Sequence, residues 1–544
     1  MDIVPNQKTI FLVAIRLTAF FLLFVQDIQT VYSDDSRGIS SKLTSAQHSQ
    51  VVGLSKVFES SASINFVIEA KDATGTKKTY GGDTLLVTFK GPSIVTAQVE
   101  DLKNGDYEIK AKLTDPGVYD MVTLIYSSNV CGENASSADF VRTTNSAEFA
   151  ACRPCVLERM KSQQVAIQES ARQPRCRLGP DSACHSFAEF WTELNLGVEV
   201  SPENDPLASL YTRYEEQDVD CARSRTHSPG RWVQRRGGVP RNMWCYNPRI
   251  TLPRAPEYAW VPHSCELKSS LNQRRFIAQP DLMDKNYLFL GDSLMMELFY
   301  AFQEFTKCRS CQFFFPNPKF FGLPLIVNYI NLESRLLAYD VVVIGSGFHD
   351  VAFPGTFGSA SASRRANFVK KCDAEFKTLA KVKLLNTTNL PPCSSKTQGT
   401  VEAYSSNLQA LTLILQRVQA QGVLVLWRLV GLPRPPSEAK KCHEYPQRVE
   451  RVQEMNRLAT AAMTKIGVPI LDSAALEGSS PSGWYRDHLH HMPTDLKTDR
   501  MGCVLPFTTA MVLYELLQTH AQPPTSIRKR PVRKGVSDQF FPRY

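Results

Sequence analysis

The stretch 287-YLFLGDSLMMELF-299 decides how the carboxyl-terminal half of this 544-residue chain is read. Four apolar residues end at Gly291-Asp292-Ser293, and an apolar, helix-compatible pattern starts at once. A buried strand turning sharply into a helix presents its last residues at the strand's carboxyl end, where open parallel sheets place their active sites. A serine there can serve as a nucleophile, with the helix N-terminus adding positive potential. Serine is also a preferred helix N-cap, so Ser293 alone is open to a purely structural reading.

Outward from this stretch, 339-YDVVVIGSGF-348 and 422-GVLVLWRLVG-431 are further apolar, β-branched runs, and 468-VPILDSAAL-476 supplies a shorter one. Between them lie the helical patterns 405-SSNLQALTLILQRVQA-420 and 445-YPQRVERVQEMNRLATAAMTKIG-467. Buried strands alternating with helices predict an α/β domain over 277–521, its parallel sheet covered by helices on both faces.

A nucleophilic serine needs a base, and 483-GWYRDHLHHMPTDL-496 offers one. Asp487 stands three residues before His490, a spacing that lets one turn deliver an acid and an imidazole together. The histidine takes the serine proton, and the acid orients the ring and stabilises its charged form. The neighbouring His488 and His491 raise the alternative of a metal site. No matching carboxylate or second histidine motif accompanies them, so catalysis is expected and no metal.

The amino-terminal half is of another kind. Residues 54–128 lack cysteine. The runs 64-INFVIEA-70, 84-TLLVTFKG-91, 106-DYEIKAKL-113 and 118-VYDMVTLIY-126 alternate apolar with polar between Gly, Asp, Asn and Pro turns. That pattern predicts a small antiparallel β-sandwich. Residues 131–276, rich in Cys, Pro and Arg, read as an irregular, disulfide-pinned connector packed against the α/β domain. Cys152/Cys155 and Cys308/Cys311 are C-x-x-C pairs without further ligands at zinc-finger spacing, so disulfides are expected, their pairing undetermined.

Hydrophobic content of 43% and charged content of 21% are ordinary for globular material and exclude wholesale disorder. The net charge of +9 is uneven. It concentrates in the tail at 522–544, with its run 527-IRKRPVRKGVSDQFFPRY-544, and in 223-RSRTHSPGRWVQRRGGVPRNMWCY-246. Basic patches commonly suggest nucleic acid. The N-terminus argues against it: Leu17–Val25 suits the core of a signal peptide, with cleavage expected after Ser33. Arg16 interrupts the longer apolar stretch from Thr9, so residues 1–33 are read as a signal peptide or a retained signal anchor. Both place the chain in the secretory pathway, secreted or, if anchored, in the Golgi lumen, with no other membrane contact. The 14 cysteines and the sequons at Asn134 and Asn386 suit that compartment. An acidic polysaccharide is a partner to consider for the basic tail.

Family landmarks are also visible. The lines 81-GGDTLLVTFKGP-92 and 99-VEDLKNGDYEIKAKLTDPGVYDMVTLIY-126 resemble the filamin-type immunoglobulin-like repeat. The GDS at 291–293 and D-x-x-H at 487–490 resemble the marks of the PC-esterase branch of SGNH-type hydrolases and acyltransferases, as do Trp260-x-Pro262-x-x-Cys265 and 426-LWRLVG-431. The sandwich, connector and esterase-like domain, in this order, resemble the neurexophilin and PC-esterase domain family over most of 54–521.

The resemblance implies an acyl, most often acetyl, transfer to a glycan hydroxyl, with Ser293, Asp487 and His490 as a triad. It implies no cofactor, only an acyl donor. Where the wider SGNH group has G-x-N-D, with the Asn helping to hold the oxyanion, this chain has Gly347-Phe348-His349-Asp350. Gly347 and His349 are thus the oxyanion candidates. The alternatives are a glycan O-acetylesterase and a non-catalytic secreted binding or adhesion protein.

Overall fold

Among the described residues, two sheet systems with different strand polarity organise the chain. The structure, a computed structural model, describes residues 42–59, 63–115, 117–143, 146–168, 230–234, 258–262, 285–306, 308, 310–314, 322–347, 350, 369–370, 373–374, 377–378, 380–381, 400–433, 448–478, 480 and 504–520. The β-sandwich contains β1 (Gln50–Val52), β2 (Val57–Glu59), β3 (Ser63–Glu69), β4 (Thr84–Lys90), β5 (Ser93–Thr96), β6 (Gln98–Asp101), β7 (Asp106–Lys112) and β8 (Gly117–Ser127). It also takes in β9 (Cys155–Arg159), β10 (Gln163–Gln168), β11 (Gly230–Gln234) and β12 (Tyr258–Pro262). One sheet runs β1-β3-β7-β6 and the other β12-β11-β5-β4-β8-β10-β2, with β9 also paired to β8.

Alternation makes the sandwich core. Every second residue of β3 is buried, so Ile64, Phe66 and Ile68 face inward. They meet Val87, Phe89, Tyr119 and Met121 of the other sheet in one apolar cluster. Phe66 and Phe89 pack edge to face across it, with ring centroids 6.5 Å apart. The buried charges are partnered: Lys78 Nζ lies 2.7 Å from Asp83 and also donates to the Asn129 carbonyl at 2.7 Å.

The sandwich is larger than the 54–128 alternation implies. Part of the stretch read as an irregular connector forms β9 to β12 and completes the second sheet. β8 carries one partner along one edge and two in tandem, β9 then β10, along the other. Arg231 and Trp232 of the basic stretch are both buried. The Arg231 guanidinium makes a two-pronged contact with Asp115, at 2.5 and 2.8 Å, so this arginine is committed to the fold. Of the C-x-x-C pairs, Cys308–Cys311 closes on itself, whereas Cys152 bonds to Cys131 and Cys155 enters a separate disulfide.

The α/β domain has a five-stranded, wholly parallel sheet of β13 (Tyr287–Leu290), β14 (Cys311–Phe314), β15 (Val341–Ile344), β16 (Leu424–Arg428) and β17 (Ile470–Leu471). The helices described in the chain, in order, are α1 (Ala138–Thr143), α2 (Ser146–Cys152), α3 (Ser293–Thr306), α4 (Leu323–Val327), α5 (Leu332–Leu336), α6 (Val401–Ala420), α7 (Val449–Lys465), α8 (Ser473–Gly478) and α9 (Val504–His520). β13 and β15 are buried at every position, as a sheet covered on both faces requires. One face packs on α3 and α9, the other on α4 to α7. Among the described residues no helix is long and apolar enough to cross a membrane.

Sandwich and α/β domain share a core. Ile94, Trp232 and Trp260 belong to the same apolar cluster as Phe289, Leu298 and Leu476. Trp232 Nε1–H donates to the Leu476 carbonyl at 3.0 Å, and the Thr96 hydroxyl donates to the Gly478 carbonyl at 3.0 Å. The sandwich therefore satisfies two carbonyls at the end of α8, which the helix itself leaves without partners.

A second contact is electrostatic. Glu450, at the start of α7, accepts from the Ser127 hydroxyl and from Arg448 and is fully buried. The Arg448 guanidinium in turn lies 5.2 Å from the centre of the Phe149 ring. Burial would raise the Glu450 pKa, but Arg448, the Ser127 hydroxyl and Arg153 outweigh it and hold the carboxyl at about 2. Such a group stabilises the fold at pH above its unfolded value of 4.5 and loses that contribution as pH falls towards 2. Glu450→Gln is expected to cost about 3 kcal/mol at neutral pH, since one partner of a buried pair is removed. Urea unfolding of both proteins between neutral pH and about pH 3 checks this. The gap should narrow as pH falls, and a gap independent of pH would show that the charge contributes nothing.

Candidate active site

In the order in which the chain makes them, the five parallel strands lie 2-1-3-4-5 across the sheet. The order reverses between β13 and β15, and a crevice opens at the carboxyl ends of the strands on either side of such a switch point. The two segments that leave the sheet there are Gly291-Asp292-Ser293 after β13 and Gly345-Ser346-Gly347 after β15. They are held side by side: the Gly345 N–H donates to the Leu290 carbonyl at 3.0 Å. A side chain at Gly291 would come within 2.8 Å of the Gly345 carbonyl, so this close approach requires glycine.

Ser293 is the first residue of the 14-residue helix α3 and is half-buried. The cap of this helix is not Ser293. Asp292 Oδ1 accepts from the backbone N–H of Leu294 at 3.0 Å and from that of Met295 at 3.4 Å, which is the bonding an N-cap provides. Asp292 is buried while doing so, and its charge suits the positive end of the helix. Ser293 thus stands at the carboxyl edge of the sheet, in the first turn of the helix, without being the residue that caps it.

The loop after β15 is fastened from several sides. The Ser346 hydroxyl donates to Asp350 Oδ2 at 2.6 Å, and the Leu323 N–H at the start of α4 donates to Asp350 Oδ1 at 2.8 Å. The Asp350 N–H closes the turn on the Gly347 carbonyl at 3.0 Å. Gly347 is buried against Val430 and Met455, and a side chain there would come within 2.7 Å of the Met455 methyl. Burial pushes the Asp350 carboxyl up to about 7. The bonds from Ser346 and Leu323 pull it down, and the nearby Asp292 charge adds to the rise.

The neighbouring strand end is as firmly held. Arg428, the last residue of β16, donates to Ser473 Oγ and to Glu477 Oε1, both at 2.8 Å, and its side chain is buried. Asn456 of α7 accepts from the Val430 N–H at 2.9 Å and donates to the Val430 carbonyl at 2.7 Å. A small cavity under the strand ends is lined by Asp292, Leu294, Met295, Gly345, Ser346, Arg428, Leu429 and Val430.

Of the residues singled out in the sequence, Ser293 and Gly347 lie on the two segments that leave the sheet at the switch point. Asp487, His490 and His349 lie outside the described residues, as do Asn386, the N-terminal segment and the basic tail. Asn134 is exposed on the short turn Glu133–Ser136, a position open to modification. Sequence reasoning passed over Asp292 as a cap, Asp350 as an anchor, and Arg428. The signals were present: an acid directly before the serine, an acid closing GSGFHD, and a lone arginine inside VLVLWRLVG.

Scanned against models of known families and against curated proteins, the sequence matches none. Solved structures do match. A GDSL-like lipase from Bacteroides thetaiotaomicron aligns over 46% of this chain and 98% of its own, at 12% identity and a TM-score of 0.25. An acetyl xylan esterase aligns over 42% of this chain and 98% of its own, at 13% identity and a TM-score of 0.24. The Lin-41 filamin domain aligns over 23% of this chain and 97% of its own, at 14% identity and a TM-score of 0.16. With TM-scores this low, the fold and the chemistry of this chain rest on its own residues.

Proposed function

We propose that this chain is a serine-dependent acyltransferase of the secretory lumen that moves an acetyl group onto a glycan hydroxyl. One observation carries the acyl-transfer reading: Ser293 stands at the switch point of a 2-1-3-4-5 parallel sheet, on a helix that Asp292 caps. Substrate and compartment come from the family resemblance and from the N-terminal segment. The basic tail is assigned to an acidic polysaccharide, and nucleic acid is not a partner in this reading.

In the proposed cycle His490, oriented by Asp487, takes the Ser293 proton as Oγ attacks the donor's carbonyl carbon. The carbonyl oxygen gathers negative charge, which backbone N–H groups at Ser293 and Gly347, with His349, stabilise. The tetrahedral species collapses, the donor's leaving group departs with the proton from His490, and the acyl group remains as an ester on Ser293. A sugar hydroxyl then gives its proton to His490 and attacks the ester carbon; the bond from that carbon to Oγ breaks, and His490 returns the proton to Ser293. Water in place of the sugar makes the same site an esterase, so the partition depends on how well the acceptor excludes water.

The test is direct. Purified, folded ectodomain is incubated with a fluorophosphonate probe and with a chromogenic acetyl ester, with and without glycan acceptors. Labelling, turnover, and acetyl transfer that outpaces hydrolysis when acceptor is present are the expected results. Turnover unaffected by acceptor would convert the assignment to an esterase. No labelling and no turnover would leave the secreted binding protein as the better reading.

A further inference from the structure

We infer that Asp350 is the positioning residue for the oxyanion side of this site, holding the loop after β15 at the height that Ser293 chemistry requires. The inference rests on the acyl-transfer reading of Ser293. The Asp350 carboxyl lies between the loop after β15 and the head of α4 and bonds to both. One oxygen takes the Leu323 N–H at the head of α4, and the other takes the Ser346 hydroxyl, at 2.8 and 2.6 Å. The Asp350 N–H folds back on the Gly347 carbonyl, so the same residue closes the turn that contains the proposed backbone donor. The site is built tightly around this group. A side chain on Gly322 would come within 2.9 Å of Asp350 Oδ1, and the Tyr404 hydroxyl of α6 reaches the Ser346 carbonyl at 3.5 Å. Asp350 itself is 4% exposed, too enclosed to meet a substrate directly.

The bonding pattern separates anchorage from charge. What the loop needs is one acceptor for Leu323 and one bond to Ser346, and an asparagine supplies both. Its carbonyl oxygen replaces Oδ1, and its amide can donate to the Ser346 oxygen, whose hydroxyl then turns away. Alanine supplies neither and leaves two buried donors without partners. That burial pushes the carboxyl up to about 7 fits a pocket that accepts a neutral group there.

The experiment compares wild type with Asp350→Ala, Asp350→Asn and Ser346→Ala, each counted by fluorophosphonate active-site titration so that rates refer to folded molecules. Turnover of the acetyl ester and the rate of probe labelling are both measured, because both build negative charge on an oxygen in the same place. Asp350→Ala is expected to lower kcat and the labelling rate about 100-fold with KM little changed, the size of effect that a small misplacement at a reacting centre produces. Ser346→Ala, which keeps the Leu323 bond, should fall about tenfold and decides the matter if Asp350→Ala does not fold. Asp350→Asn should stay close to wild type. Alanine variants with wild-type rates per titrated site would overturn the assignment, since Asp350 would then serve folding alone. An asparagine variant as impaired as the alanine variant would also overturn it, because charge and not anchorage would be at work. An inactive, unlabelled wild type would remove the acyl-transfer reading, and this role with it.

Discussion

Ser293→Ala should abolish acyl transfer and fluorophosphonate labelling while leaving the fold almost untouched. The expected fall in kcat is roughly 10^5 to 10^6, the range seen when the nucleophile of a serine triad is removed. The structural half of this expectation follows from the capping arrangement. Asp292 accepts the Leu294 and Met295 N–H groups, so the cap of α3 is the aspartate and not the serine. The cost of Ser293→Ala in unfolding free energy is therefore expected to be under ~1 kcal/mol. Asp292→Ala removes the cap and should cost ~1–2 kcal/mol. Activity, labelling and chemical unfolding measured on the two variants side by side separate the roles. Full turnover by Ser293→Ala would end the mechanism. A large loss of stability in that variant would show that the hydroxyl serves the helix after all.

His490→Gln is expected to lower turnover by several orders of magnitude, with much milder effects at His488 and His491. In 487-DHLHH-491 the three imidazoles stand one, three and four residues beyond Asp487. In an extended segment His488 would point away from the acid, whereas His491 would share a helical face with it and is the serious competitor. The D-x-x-H spacing of the resembling family selects His490. The base must reach both the serine hydroxyl and the orienting acid. Changing each histidine to Gln separately and measuring turnover of folded, secreted protein discriminates among the three. A dead His491→Gln beside a near-normal His490→Gln would mean that His491 is the base.

The parts of this fold that could be read from the chain are those whose causes are local. The run YLFL before Gly291 is buried at each position, and the period-two runs of β3, β4, β7 and β8 carry their own face assignment. The long helices α6 and α7 were equally visible, because their apolar residues recur with the helical period. Ser293 and Gly347 were nominated from the segments that follow two such runs, and those segments leave adjacent strands of the sheet.

What the sequence by itself determined, then, is the strands and helices with a strong hydrophobic period, β9 to β12 not among them, and the chemical groups that follow them. Tertiary structure alone decided how those ends meet. No local pattern says that β13 lies between β14 and β15, and only that order sets the segment that carries Ser293 next to the one that carries Gly347. Nothing near Trp232 shows that it pairs opposite Ile94 and donates to Leu476, joining the sandwich to the α/β core. Nor does spacing show that Cys152 prefers Cys131 to Cys155, or that Arg428 has Glu477 as its partner. Hydrophobic periodicity is written along the chain because each residue answers to its own burial. Strand order and the pairing of buried charges answer to groups distant in sequence, and they take shape only when the whole core closes.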